Sequence, residues 1–132
     1  MRKEIADKLV SALRSGEYQQ GRGRLRDGDN FCCLGVLCDI AVKEGVIEPW
    51  QKIKLHGETR FGFVYPLVDS EETYQETSVL PPVVKEWAGM KHSNGSYDNE
   101  EGAQMAALSS DNDNGKSFAR IADIIEARYL EL

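Results

Sequence analysis

The chain has no uninterrupted apolar run near the roughly 20 residues a bilayer-spanning helix needs. Its beginning, MRKEIADKLVSALRSGEY, breaks the apolar positions with charges, unlike a secretory leader. A soluble, cytoplasmic protein without a membrane partner is therefore expected. Cysteine is scarce, with three residues of which two are adjacent. Adjacent cysteines bridge each other only with strain, so a disulfide framework is not expected and a reducing compartment fits. Histidine is scarcer still. Only His56 and His92 could complete a zinc site, and the CC-x4-C spacing lacks the two separated ligand pairs of structural zinc. Positive charge is also short, at 16 Lys/Arg against 22 Asp/Glu for a net −6. General duplex binding draws on clustered cations, so duplex DNA is not an expected partner.

What is there suits one globular domain spanning residues 1–132, with 41% hydrophobic and 29% charged residues. The few cations are concentrated at the front. Residues 1–30 carry seven Lys/Arg against five Asp/Glu, whereas residues 66–132 carry five against thirteen. A local anion site is compatible with that distribution.

Ile5, Leu9, Ala12 and Leu13 form one helical stripe over residues 2–14, and Gly16 follows as a stop. Asp27-Gly28 reads as a tight turn between two short extended pieces. From Cys32 to Lys43 the apolar spacing is helical again, through Cys33, Val36, Leu37, Ile40 and Ala41. KIKLH and RFGFVYP alternate like strands around a turn at Gly57-Glu58. The acidic run DSEETYQETS reads as an exposed loop. LPPVVKEWAG has prolines where a helix start tolerates them and a glycine where its end favours one, with Val83 or Val84 and Trp87 turned inward. KHSNGSYDNEEG, residues 91–102, reads as surface turn, and so does SSDNDNGK. Ser117 then caps a last helix whose stripe runs from Phe118 through Ile121, Ala122 and Ile125 to Tyr129. The expected class is α+β, with about four helices packed on a small antiparallel sheet.

FCCLGVLCD holds every cysteine. Read as core, the thiols act as small hydrophobes at a helix start. Read as chemistry, Cys32 or Cys33 could be a nucleophile whose pKa the helix N-terminus lowers, given a nearby base. Ser110 to Gly115 has the composition of a calcium loop, but position 1 is Ser110 and position 12 is Ile121, so the anchoring ligands are missing. Residues 117–125 look like the first helix of a helix-turn-helix, yet no recognition helix follows before Leu132. Neither a metal nor another cofactor is called for. The tract Gly21-Arg22-Gly23-Arg24-Leu25-Arg26 carries more. In an extended piece its arginines share one side and Leu25 takes the other, a row suited to phosphate or carboxylate.

The combination of ALRSGEYQQGRGRL, CCLGVLCDIA, LPPVVKEWAG and DNGKSFARIADIIE resembles a family of small proteins encoded by tailed bacteriophages and prophages, whose strongest signature is CCLGVLCD. The likeness spans most of the chain, with about residues 46–78 variable. In that family the turn before the last helix looks like leucine, asparagine, aspartate, one free position and glycine. Here Leu108 is followed by SSDNDNG, an insertion. The resemblance implies an accessory protein acting inside the bacterial host, and such proteins often modulate host defence. It carries over no catalytic residue.

The leading expectation is a non-enzymatic counter-defence protein that binds and sequesters a small anionic ligand such as a signalling nucleotide. Its ligand-binding residues would be Arg22, Arg24, Arg26 and Arg60, with Phe61 and Tyr65 as aromatic partners, at an interface of a homo-oligomer. A second is a protein-binding inhibitor of a host enzyme, presenting Glu71, Glu72, Glu76, Asp98, Glu100 and Glu101 to a basic surface. A third is a nucleotide-processing enzyme using a cysteine or an Asp111/Asp113 metal site.

Overall fold

The computed structural model describes residues 1–98 and 105–132. Its class is α+β, as expected, with five helices and eight short strands among those residues. The first helix, α1 (Lys3–Arg14), buries Ile5, Ala6, Leu9, Val10 and Leu13 along one stripe. That stripe packs on the last helix, α5 (Phe118–Arg128), which buries Phe118, Ile121, Ala122 and Ile125. Ser117 caps α5, its Oγ accepting from the Arg120 N–H at 3.1 Å.

The second helix, α2 (Cys33–Lys43), packs on α1 and on two short helices that come later in the chain. Cys33, Leu34, Val36, Leu37, Cys38 and Ala41 are all fully buried, so the first half of the helix is enclosed on every side, while Asp39, Ile40 and Val42 are half-buried and Lys43 is exposed. Cys32 is its N-cap, and its sulfur accepts from the Gly35 N–H at 3.3 Å. In front of α2 sits a hairpin of β2 (Arg26–Asp27) and β3 (Asn30–Phe31), with Gly28 at φ +58° in the turn, and β1 (Gln19–Gln20) pairs parallel to β3.

The middle of the chain is a three-stranded antiparallel sheet of β4 (Gln51–Leu55), β5 (Glu58–Pro66) and β6 (Thr73–Glu76). The β4–β5 turn is His56-Gly57, at φ +51° and +79°, one residue earlier than the sequence suggests. Positive φ at both positions matches the twist of a two-residue hairpin. β6 takes the place of part of the expected acidic loop, whose residues 69–72 remain a turn. The residues of β6 are polar because it is an edge strand with three of four side chains exposed.

The next helix, α3 (Pro82–Ala88), buries Val84 and leaves Val83 outside. Its last carbonyls are covered by Arg2, whose N–H and Nε donate to Ala88 O and Trp87 O at 2.8 Å each. β7 (Ser96–Asp98) pairs with β8 (Met105–Ala107), so part of the expected 91–102 surface turn is strand. Residues 99–102 of that turn lie outside the described residues. SSDNDNGK is likewise mostly helix, α4 (Leu108–Asp113). Ser, Asp and Asn are weak helix formers, and here the tertiary bonds of Asp111 and Asn112 override that preference.

Candidate functional site

β2 packs against β5, and this contact builds an arginine corner. The Arg26 guanidinium lies 4.1 Å from the Phe61 ring centre, 5.1 Å from Phe31 and 5.6 Å from Trp50. Its Nε donates to Gly28 O at 2.8 Å, and it meets no carboxylate among the described residues. Three rings and one carbonyl hold this cation still, which lowers the entropy lost when its remaining donors find a ligand. Arg24 and Arg60 meet elsewhere. Both reach the exposed Glu58 carboxylate, at 3.6 and 3.3 Å, with their own side chains only 25% and 23% exposed. Contacts that long to a solvated acid are weak, and two cations on one carboxylate leave positive charge in excess.

The expected row of three arginines does not form. Gly23 at φ +77° turns the chain before β2 begins, and the Gly23 N–H donates to Asp113 Oδ1 at 2.9 Å. Arg22 is thereby exposed beside Gly115. Leu25 is fully buried as expected. Arg60 and Phe61 are consecutive in a strand and so leave opposite faces of it. Phe61 is on the face of the buried Phe63 and of Tyr65, which stacks on Tyr74 with ring centres 5.5 Å apart. The structure thus brings Arg26 to Phe61 and Arg24 to Arg60, and leaves Arg22 and Tyr65 apart from both pairs. Phe31, Trp50 and Glu58 complete the corner without having been expected. Strand alternation in RFGFVYP was the available signal for the split.

Tyr65 belongs instead to an apolar groove. A space of about 480 Å³ lies between the end of β5 and α3, lined among others by Tyr65, Leu67, Val68, Pro82 and Val83. It continues into one of about 590 Å³ along the α2–β4 connection, sharing Tyr65, Pro66 and Val83. Val68 is 90% exposed, Tyr74 46%, Val83 42% and Leu67 38%.

Residues 1–129 match a domain of unknown function, DUF8296. The chain belongs to the DUF8296 family. No curated protein and no solved structure matches it. The arginine corner and the groove both lie inside the DUF8296 match.

Two polar knots hold the candidate site of this DUF8296 chain in place. Asp39 accepts from Tyr18 Oη at 2.6 Å, Trp50 Nε1 at 3.0 Å and Lys43 Nζ at 3.2 Å. Burial pushes its carboxyl up, but these donors outweigh burial and hold it below its usual range. The knot fixes Trp50, one wall of the Arg26 box, to α2. The second is Asn112, fully buried, whose Oδ1 accepts from Cys33 N at 3.1 Å and Gln20 Nε2 at 2.9 Å while Nδ2 donates to Gly21 O at 2.7 Å. Asp111 beside it accepts from Tyr97 Oη and from Lys116 Nζ. These acids and amides are spent on structure, and the bonds of Asp111 and Asp113 tie up the pair that the nucleotide-processing reading would need for a metal.

The thiols are core in the DUF8296 fold. All three are free and buried. Burial pushes Cys32 up to about 11, and Cys33 and Cys38 well above their ordinary value, the reverse of what a nucleophile needs. Groups raised on folding stabilise the native state below their unfolded pKa and lose that contribution as pH rises through the folded one. Stability should therefore fall from about pH 9 upward, and the native protein should resist a thiol reagent at pH 8 until denaturant exposes three thiols. Urea melts at pH 7 and 10, with thiol counting in each state, check both; one fast native thiol would return the nucleophile reading.

Proposed function

We propose that the chain is a non-catalytic binding protein whose ligand is a small phosphate-bearing anion, recognised at Arg26. The observation that carries this is the guanidinium held against Phe61, Phe31 and Trp50 with no carboxylate facing it among the described residues. A planar fork with free donors suits bidentate recognition of phosphate. Arg24 and Arg60, paired on Glu58, add positive charge from the other face of β5. In the phage setting implied by the sequence resemblance, the reading is counter-defence: a signalling nucleotide is held from its receptor in the host cytoplasm. Because the corner is open, a homo-oligomer would close it over the ligand.

Calorimetry with a panel of cyclic and linear nucleotides and inorganic phosphate tests this. Arg26→Lys keeps the charge but loses the fork and the stacking, and is expected to weaken binding about tenfold or more. Arg22→Ala should leave binding unchanged. A ligand that ignores Arg26→Lys and Arg26→Ala, in variants that melt like the parent, overturns the assignment. A second reading, protein binding, is favoured by a separate observation, the exposed apolar groove beside α3.

A further inference from the structure

The groove between β5, α3 and the α2–β4 connection is lined by apolar residues and two carboxylates, Glu48 and Glu86, with no Lys, Arg or His in either part. The loop that forms its lip, after β5, adds Asp69, Glu71 and Glu72, and residues 67–76 contain no cation. That loop is built rather than slack. Leu67 N–H donates to Glu72 O at 3.0 Å, Glu72 N–H donates to Ser70 Oγ at 3.0 Å, and Asp69 sits at φ +57°. A left-handed aspartate costs on the order of 1 kcal/mol, and here it lies in the bonded turn that sets the 90% exposed Val68 at the rim. A valine displayed by a hydrogen-bonded turn above a proline-walled groove has the form of a docking contact.

We propose that this groove takes a basic amphipathic segment of a partner protein, apolar side chains set between Val68 and Val83 and cations set over Glu48, Glu86 and the Asp69–Glu72 lip. The inference deepens the protein-binding reading and rests on it. Charge decides the occupant. A second copy would bring the same acidic rim, and an anionic lipid surface would be repelled. The acidic face expected from the sequence is thereby redrawn. Glu76 is spent on the Ser78 and Val79 N–H groups at 3.1 and 3.3 Å, whereas Glu71 and Glu72 stay available at the lip. The Asp98 side chain and residues Glu100 and Glu101 lie outside the described residues.

The test is fluorescence anisotropy of the full chain with three labelled synthetic peptides: a Leu/Lys amphipathic helix, its Leu/Glu counterpart, and a Lys peptide of equal charge without an apolar face. The Leu/Lys peptide is expected to bind, more weakly at 0.5 M than at 0.1 M salt. Val68→Asp, at a site too exposed to unfold the chain, and Glu86→Lys should each weaken it at least tenfold. Equal binding of the Lys peptide, or indifference to both substitutions, overturns the groove as the contact. Preference for the Leu/Glu peptide keeps protein binding but overturns the basic partner. If no peptide binds and sedimentation shows a dimer that Val68→Asp breaks, the occupant is a second copy and the proposal falls. If no peptide binds and the chain is a monomer, the protein-binding reading falls with it.

Discussion

Gly35→Ala is expected to be the most damaging single methyl in the chain. A Cβ built at Gly35 would stand 1.8 Å from Leu25 O and 2.7 Å from Leu25 C, both backbone atoms that no rotamer change can move. To make room, α2 must separate from the Leu25 backbone, and the bonds on either side would go with it. Those are Cys32 N–H to Leu25 O at 3.2 Å and Leu25 N–H to Thr77 O at 2.8 Å. The second ties the arginine tract to the residue after β6, so the loss reaches the arginine corner. A cost of about 3–5 kcal/mol is expected, at the top of the overpacking range, against a total stability of about 5–15 kcal/mol for a domain of this kind. Gly45→Ala is the control. Gly45 has φ +74° but open space around it, so only left-handed strain of about 1–2 kcal/mol applies. Urea unfolding of the two variants side by side checks this; similar midpoints would mean that α2 and the Leu25 segment are not in contact as described.

Gly35 also shows what FCCLGVLCD encodes. The helix, its start near Cys32 and the burial of its sulfur were legible from spacing and composition, because apolar residues on successive turns leave little else to do. The reason for glycine at position 35 was legible only as permission for some close approach, not as contact with Leu25, ten residues upstream and just before β2. The same division runs through the site. Arg26 and Phe61 stand out in sequence as cation and ring, and the structure places one over the other. Trp50 does not stand out, since its place is set by an indole bond to Asp39 and by stacking on Phe63 with ring centres 4.4 Å apart. Periodicity reads neighbours three, four or two residues apart. β6 was obscured for another reason: an edge strand is selected for polarity, which imitates a loop.

Asn112 is the residue that local reading was least able to place, and its replacement is the other large expected effect. Its carboxamide spans Cys33, 79 residues away, and Gly21, 91 residues away, and acts as a remote cap on the first N–H of α2. α4 carries the amide to these two partners. Asn112→Ala orphans the buried Cys33 N–H and the Gly21 carbonyl and leaves a void, a loss of about 3–4 kcal/mol. Asn112→Asp separates the two halves of the amide. An aspartate oxygen can still accept from Cys33 and Gln20 and faces a helix N-terminus, which favours it. The other oxygen meets the Gly21 carbonyl where Nδ2 donated at 2.7 Å, acceptor against acceptor, unless it carries a proton. Burial and that clash raise the folded pKa of this aspartate above its unfolded value of about 3.9. By linkage, its contribution is present at low pH and lost as pH rises through the folded pKa. The gap in stability between Asn112→Asp and the parent should therefore be small near pH 4.5 and wide at pH 8, whereas the gap for Asn112→Ala should stay constant. Paired urea melts across that range would read the slope directly. A gap for Asn112→Asp that does not change with pH would mean that the Gly21 carbonyl does not receive the amide hydrogen, and that the knot holding the arginine tract to α2 is drawn from other bonds.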